Sequence, residues 1–152
     1  MPDQTADAIA RDAVVAAVTA RLTSQLTGVL RYDLEAVDVP LIPGSGSRVQ
    51  PYYVLTPFPG GPSGEDDLAD TLVDIEFSCQ ITCVAAEVGD LMSLVTRVDA
   101  AMLRWSATIP GLGCGRFRPP PGYQPPTLLD RTVTPHRPYV PLQYGARVFS
   151  AA

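Results

Sequence analysis

Residues 71–84 read TLVDIEFSCQITCV. From Val73 to Cys83 the stretch alternates without interruption. Val73, Ile75, Phe77, Cys79, Ile81 and Cys83 are apolar, and Asp74, Glu76, Ser78, Gln80 and Thr82 between them are polar. Successive side chains of a strand face opposite sides of its sheet, so this pattern specifies a strand with one dry face and one wet face. It is long for a strand, and neither Gly nor Pro breaks it. It is therefore expected to run through the middle of an antiparallel sheet, with helices covering its dry face.

Working outward, residues 88–105 follow with Leu91, Leu94, Val95, Val98, Met102 and Trp105 on one helical face and Glu87, Asp90, Arg97 and Asp99 off it. This amphipathic helix belongs on the dry face, with Trp105 as a core anchor. Upstream, residues 58–70 (FPGGPSGEDDLAD) are rich in Gly, Pro and acids and read as a loop. Glu65, Asp66, Asp67 and Asp70 lack the alternating ligand spacing of a calcium loop. Residues 48–57 (RVQPYYVLTP) have a strand composition, with Pro51 suited to an edge or first position. Residues 44–47 (GSGS) form a turn without the Lys-Ser/Thr ending of a phosphate loop. Residues 30–41 alternate imperfectly and are read as a strand. Residues 7–29 carry Val14, Val18, Leu22, Leu26 and Val29 as one stripe on an Ala-rich helix that stops near Gly28.

Downstream, residues 109–118 (IPGLGCGRFR) are Gly-rich and turn-forming, and residues 119–126 (PPPGYQPP) are an extended proline-rich loop. Residues 127–135 and 139–149 are expected to pair as antiparallel strands across the PHRP turn at 135–138. The expected fold is one α+β domain over residues 1–152, with loops at 57–70 and 106–126. Its order is α-β-β-β-α-β-β, an antiparallel-dominated sheet with two helices packed on one face.

Composition narrows the function classes. The chain has 152 residues and a formal net charge of −5, and all eleven basic residues are Arg. The absence of Lys, with much Ala, Gly, Pro and Val, matches a high-GC coding bias. An acidic protein without clustered cations is a poor nucleic-acid binder, and Arg116–Phe117–Arg118 alone makes no patch. The cysteines are Cys79, Cys83 and Cys114; this odd count without a CxxC argues against a disulfide framework and a zinc knuckle. Cys79 and Cys83 stand about 13 Å apart along one strand, too far to bridge, and are read as small core residues of a protein kept in a reducing compartment. The acid-bearing N-terminus does not resemble a secretory signal, and no run approaches the roughly 20 apolar residues of a membrane span. A soluble protein made inside a cell is expected.

No catalytic motif emerges. His136 is the lone histidine, and Cys114 is the one cysteine off the central strand; no family signature surrounds either. Asp66, Asp67, Asp74 and Glu76 supply carboxylates, but nothing in the sequence places two of them in one pocket. No cofactor or metal is expected.

In element order, nearly the whole chain resembles the tail terminator (tail completion) proteins of long-tailed bacteriophages that infect high-GC bacteria. The resemblance is carried by the Ala/Val-rich opening helix and by the strand ending in a Pro/Gly loop at 51–64 (PYYVLTPFPGGPSG). It is carried further by the alternating strand and following helix at 74–103 (DIEFSCQITCVAAEVGDLMSLVTRVDAAML) and by the closing strand at 137–150 (RPYVPLQYGARVFS). The proline-rich insert at 119–126 is an individual feature that does not map onto the family pattern. The resemblance implies a structural virion protein, not an enzyme, found at the head-proximal end of a siphovirus tail and assembled in the host cytoplasm. It implies a homohexameric ring that stops tail-tube polymerisation, contacts the tail tube protein and docks the neck or head completion protein. DNA would pass through its lumen without specific binding, which an acidic wall favours by repulsion. Subunit or tube contacts are expected from the 58–70 loop, at Phe58, Asp66 and Asp67, and from the wet strand face, at Asp74, Glu76 and Gln80. Two rival readings are another head–tail joining (neck or adaptor) subunit, and a small cytoplasmic ligand-binding or enzymatic α+β domain with a pocket near Cys114 and His136.

Overall fold

The structure, a computed structural model, describes residues 6–58 and 73–151. Helix α1 spans Ala6–Gln25 and is followed by strands β1 (Leu30–Asp33), β2 (Tyr52–Phe58) and β3 (Asp74–Val84). Helix α2 (Val88–Met102) and strands β4 (Leu112–Cys114), β5 (Leu128–Asp130) and β6 (Arg137–Ser150) complete the order. This is the expected α+β architecture. The sheet runs β1-β2-β3-β6-β4, with β5 also pairing β6.

β3 and β6 form the spine. They pair antiparallel from Asp74↔Phe149 to Val84↔Tyr139, so every β3 residue has a partner on β6. Side chains directly opposite share a face. Ile75, Phe77, Cys79, Ile81 and Cys83 therefore lie beside Val148, Ala146, Tyr144, Leu142 and Val140, and all ten are buried. Against this dry face lie Ala10, Val14, Val18, Leu22 and Leu26 from α1 and its extension, and Leu91, Leu94, Val98, Ala101 and Met102 from α2. The four-residue spacing of the α1 stripe thus becomes the helix–sheet contact. Leu26 N–H still bonds the Leu22 carbonyl at 2.8 Å, and Gly28, at φ 81, then ends the helical path.

Several expectations are corrected. β1 is four residues long and pairs β2 in parallel, from Leu30↔Tyr52 to Asp33↔Leu55. The strand expected over 30–41 stops because Leu34 and Asp38 are left-handed, with φ 65 and 53, and an extended run cannot pass through them. The connection to β2 carries one isolated bridge, Leu41↔Val49, closed by Ile42 N–H to the Arg48 carbonyl at 2.7 Å around the expected GSGS turn. α2 ends at Met102, before Trp105. Arg104, at φ 62, reverses the chain, and Trp105 stacks on Phe117 with ring centroids 5.4 Å apart. The Arg21 guanidinium lies 5.5 Å from the Trp105 ring and donates from Nε to the Ala101 carbonyl, tying the turn to α1.

The 106–126 segment contains β4 and does more than turn. The outer edge of β6 is covered in pieces by β5 at one end, by β4 at the other, and by Arg118 between them. Arg118 exchanges backbone hydrogen bonds with Gly145 at 3.0 and 2.8 Å. The proline-rich loop is strapped to the same edge by Tyr123, whose hydroxyl donates to the Pro141 carbonyl. The Phe149 ring covers Gly113 of β4: a Cβ there would lie 2.3 Å from it and would push this part-exposed ring aside.

Candidate functional site

Among the described residues, both helices pack on one side of the sheet, and the other side carries no helix. Its residues are the even positions of β2 and β3 and the odd positions of β6. At one end, Asp74 accepts two bonds from Arg147, Nε to Oδ1 at 2.8 Å and Nη2 to Oδ2 at 2.7 Å. This fork holds the Arg147 guanidinium above its usual pKa, chiefly through the hydrogen bonds from Asp74 and then through its charge. Glu76 is exposed and faces Arg147 across the ladder. In the middle lies a polar run: Gln143 Nε2 donates to Gln80 Oε1 at 3.4 Å, and Gln80 Nε2 donates to Thr82 Oγ1 at 3.1 Å.

The far end is aromatic. Val49, Tyr52 and Val84 are buried together, with Leu30, Tyr32, Val54 and Tyr139 packed around them. Tyr32 meets Tyr52 edge-on at 5.5 Å. Arg137 lies over the Tyr52 ring, 6.0 Å from its centroid, and donates from Nη1 to the Tyr52 hydroxyl at 3.1 Å. Tyr52, Val54, Thr82, Val84, Arg137 and Tyr139 floor an open groove of about 530 Å³, walled by Glu35 and Ala36 on one side and by Asp130, Thr132 and Val133 on the other. Asp130 Oδ1 accepts from Thr132 N–H at 2.9 Å and from its hydroxyl at 2.6 Å. Those two bonds, helped by the charges of Arg137 and His136, hold the Asp130 carboxyl below its usual pKa.

The sequence-nominated positions divide clearly. Phe58 closes β2 opposite Ser78, so Phe58, Asp74, Glu76 and Gln80 all lie on the helix-free face. Asp66 and Asp67 lie outside the described residues. Arg147, Gln143, Tyr52 and Arg137, absent from the nominated set, share the face with them. The alternation of β6 exposed their parity, but the register that sets them beside β3 is a long-range property.

The reaction chemistry considered from the sequence does not assemble. Cys114 pairs with Val148 near the end of β6, whereas His136 immediately precedes its first residue. At strand rise the two ends stand roughly 35–40 Å apart, which rules out a Cys114–His136 dyad. The Cys114 thiol donates to the Gly115 carbonyl at 3.3 Å, and burial pushes its pKa up, away from a reactive thiolate. Cys79 and Cys83 are buried thiols pushed up to about 12 by desolvation. Among the described residues, no group of three or more His, Cys, Asp and Glu is placed to hold a metal ion. Among them, too, no helix is long and apolar enough to cross a membrane.

No family model and no curated protein matches the chain. Solved structures do. A chain from the virion of a native gene transfer agent (GTA) particle is similar with a TM-score of 0.57 at 16% identity, covering 91% of this chain and 96% of that one. A second solved chain, which carries a serial designation in place of a functional name, is similar with a TM-score of 0.51 at 16% identity. There the alignment covers 91% of this chain and 94% of the other. At these identities the likeness establishes a shared fold over nearly the whole length.

Proposed function

We propose that this protein is a structural component of a phage-like virion and that it acts as the tail terminator, a non-catalytic ring at the head-proximal end of the tail tube. The observation that carries the reading is the end-to-end fold likeness to a chain of a gene transfer agent virion. The helix-free face supports it. A sheet side with a fixed Asp74–Arg147 fork, a Gln143–Gln80–Thr82 run and an aromatic groove offers side chains for docking rather than a reaction centre. The net charge of −5 suits a conduit through which DNA slides without binding. In this reading the ring closes through a heterologous subunit contact, halts tube growth and presents a surface to the neck.

The test is light scattering across a concentration series, with negative-stain imaging, on the protein alone and with purified tail tubes. Six-fold rings, or a monomer that forms rings on tube ends and blocks further tube growth, support termination. Rings that bind neck or portal complexes and ignore tubes convert the reading to a neck or adaptor subunit. A monomer or dimer indifferent to both removes it.

A further inference from the structure

The proline-rich insert at 119–126 walls a small pocket. Pro121 and Gly122 form the corner of a tight turn. Gly122 is at φ 73 and Tyr123 N–H bonds the Pro120 carbonyl at 3.0 Å, the pattern of a type II turn. The segment is pinned to β6 at two places, by Arg118 on the Gly145 backbone and by the Tyr123 hydroxyl on the Pro141 carbonyl. Between those pins opens a pocket of about 130 Å³, lined by Pro119, Tyr123 and Pro125 of the insert and by Leu142, Gln143 and Tyr144 of β6. Asp99 of α2 also faces it.

We infer that this pocket receives an arginine side chain from a basic partner protein. The chemistry of the lining selects that ligand. Asp99 is the one charged residue lining it, and it is half-buried. It joins no ion pair among the described residues, and residues 1–5 and 59–72 hold no basic side chain. A half-buried carboxylate without a counter-charge is destabilising, and an incoming cation relieves it. The side-chain donors of the lining are already engaged: the Tyr144 hydroxyl on Asp99, the Tyr123 hydroxyl on Pro141, and Gln143 Nε2 on Gln80. An anion would therefore meet repulsion. A guanidinium meets Asp99 Oδ2, which the Tyr144 bond to Oδ1 leaves open, and has the Tyr123 ring and the proline faces to lie on. The size agrees, since a cavity of about 150 Å³ takes benzene and a guanidinium is smaller. The peptide that carries the arginine finds backbone partners too. Pro141 and Gly145 turn their backbone groups to this edge of β6, and by strand alternation so does Gln143 between them. The net charge of −5 favours a basic partner over a second copy of this acidic chain. The role of the pocket is independent of tail termination.

The experiment is a backbone-amide NMR titration of the full chain with N-acetyl-arginine amide. A parallel titration uses N-acetyl-citrulline amide, in which a neutral urea of the same shape replaces the guanidinium. The arginine probe is expected to give saturable shifts at the pocket, on Asp99, Leu103, Tyr123 and Gln143. The citrulline probe should bind about tenfold more weakly, the difference between charge-assisted and neutral hydrogen bonds. Asp99→Asn keeps an acceptor for Tyr144 and should erase that preference. The probe comparison on the parent chain needs no variant, so it decides the matter even where Asp99→Asn folds poorly. Equal binding of the two probes, shifts that map to the Glu35–Asp130 groove instead, or no saturable shift overturns the inference. A preference for the guanidinium that survives in folded Asp99→Asn overturns it as well. Pocket shifts that grow with protein concentration alone identify a second copy as the source and overturn the basic partner. None of these readouts depends on tube capping, so failure here leaves termination standing, and failure to cap leaves the pocket standing.

Discussion

Single residues carry two decisions in this fold. Tyr144, on the dry face, donates its hydroxyl to Asp99 of α2, so one polar pair joins helix to sheet inside an apolar layer. Burial, and then this bond, holds the tyrosine neutral well above its usual pKa. Tyr144→Phe is expected to cost about 1–2 kcal/mol in urea denaturation, since Asp99 is half-buried and only partly regains water once the hydroxyl is gone. The second decision is the pair of buried thiols. Folded Cys79 and Cys83 hold their protons to about 12, whereas an unperturbed thiol releases its own near 9.0. The unfolded state therefore ionises first, and stability present in full below that lower value is lost as pH rises toward the upper one. The expected slope is roughly 1.4 kcal/mol per pH unit per thiol. Denaturation midpoints at pH 8 and 10 check the sign, and Cys79→Ala should flatten the dependence. The burial of both cysteines was readable from alternation. The Tyr144–Asp99 bond was not, because the partners are 45 positions apart on different elements.

At the scale of elements, β3 and β6 determine which surfaces are core and which are outward. Phe77 is buried on β3 and meets Phe117 edge-on at 6.2 Å. Phe77→Ala should destabilise by about 3–5 kcal/mol in the same assay, the usual cost of emptying a core aromatic site. The opposite face should behave differently. Glu76→Arg combined with Gln80→Arg is expected to leave the far-ultraviolet spectrum unchanged and to lower the melting temperature only modestly, since a cation would then face Arg147 and the Gln143 bond would be lost while the core stays intact. A lost fold would show that the faces are assigned wrongly. The sequence patterns of β3, α1 and α2 were strong because each element repeats its own period over many residues. β1, β4 and β5 are three or four residues long, too short for a period to register. They exist because longer neighbours offer them hydrogen-bonding edges, and those neighbours come from distant parts of the chain.

For the whole molecule, the formal net charge of −5 yields a measurable consequence. If copies of the chain join in a ring, like net charges are brought together, so raising ionic strength should favour assembly by screening them over about 10 Å at 0.1 M salt. Light scattering at low and high salt is expected to show the assembly midpoint moving to lower protein concentration. A midpoint that moves to higher concentration would mean that ion pairs between subunits outweigh the net repulsion.

The amino-acid sequence by itself determined the α+β class, the dry and wet faces of the central strand, the stripes of both long helices and the burial of Cys79 and Cys83. Each is a local period or composition, written in residues a few positions apart. Only the tertiary structure decided that β1 joins β2 in parallel, that Asp74 meets Arg147, that Arg137 caps Tyr52, and that Cys114 and His136 stand at opposite ends of one strand. Those facts depend on strand register and sheet order. Both are set by the simultaneous packing of segments far apart in the chain, and no short window of sequence contains them.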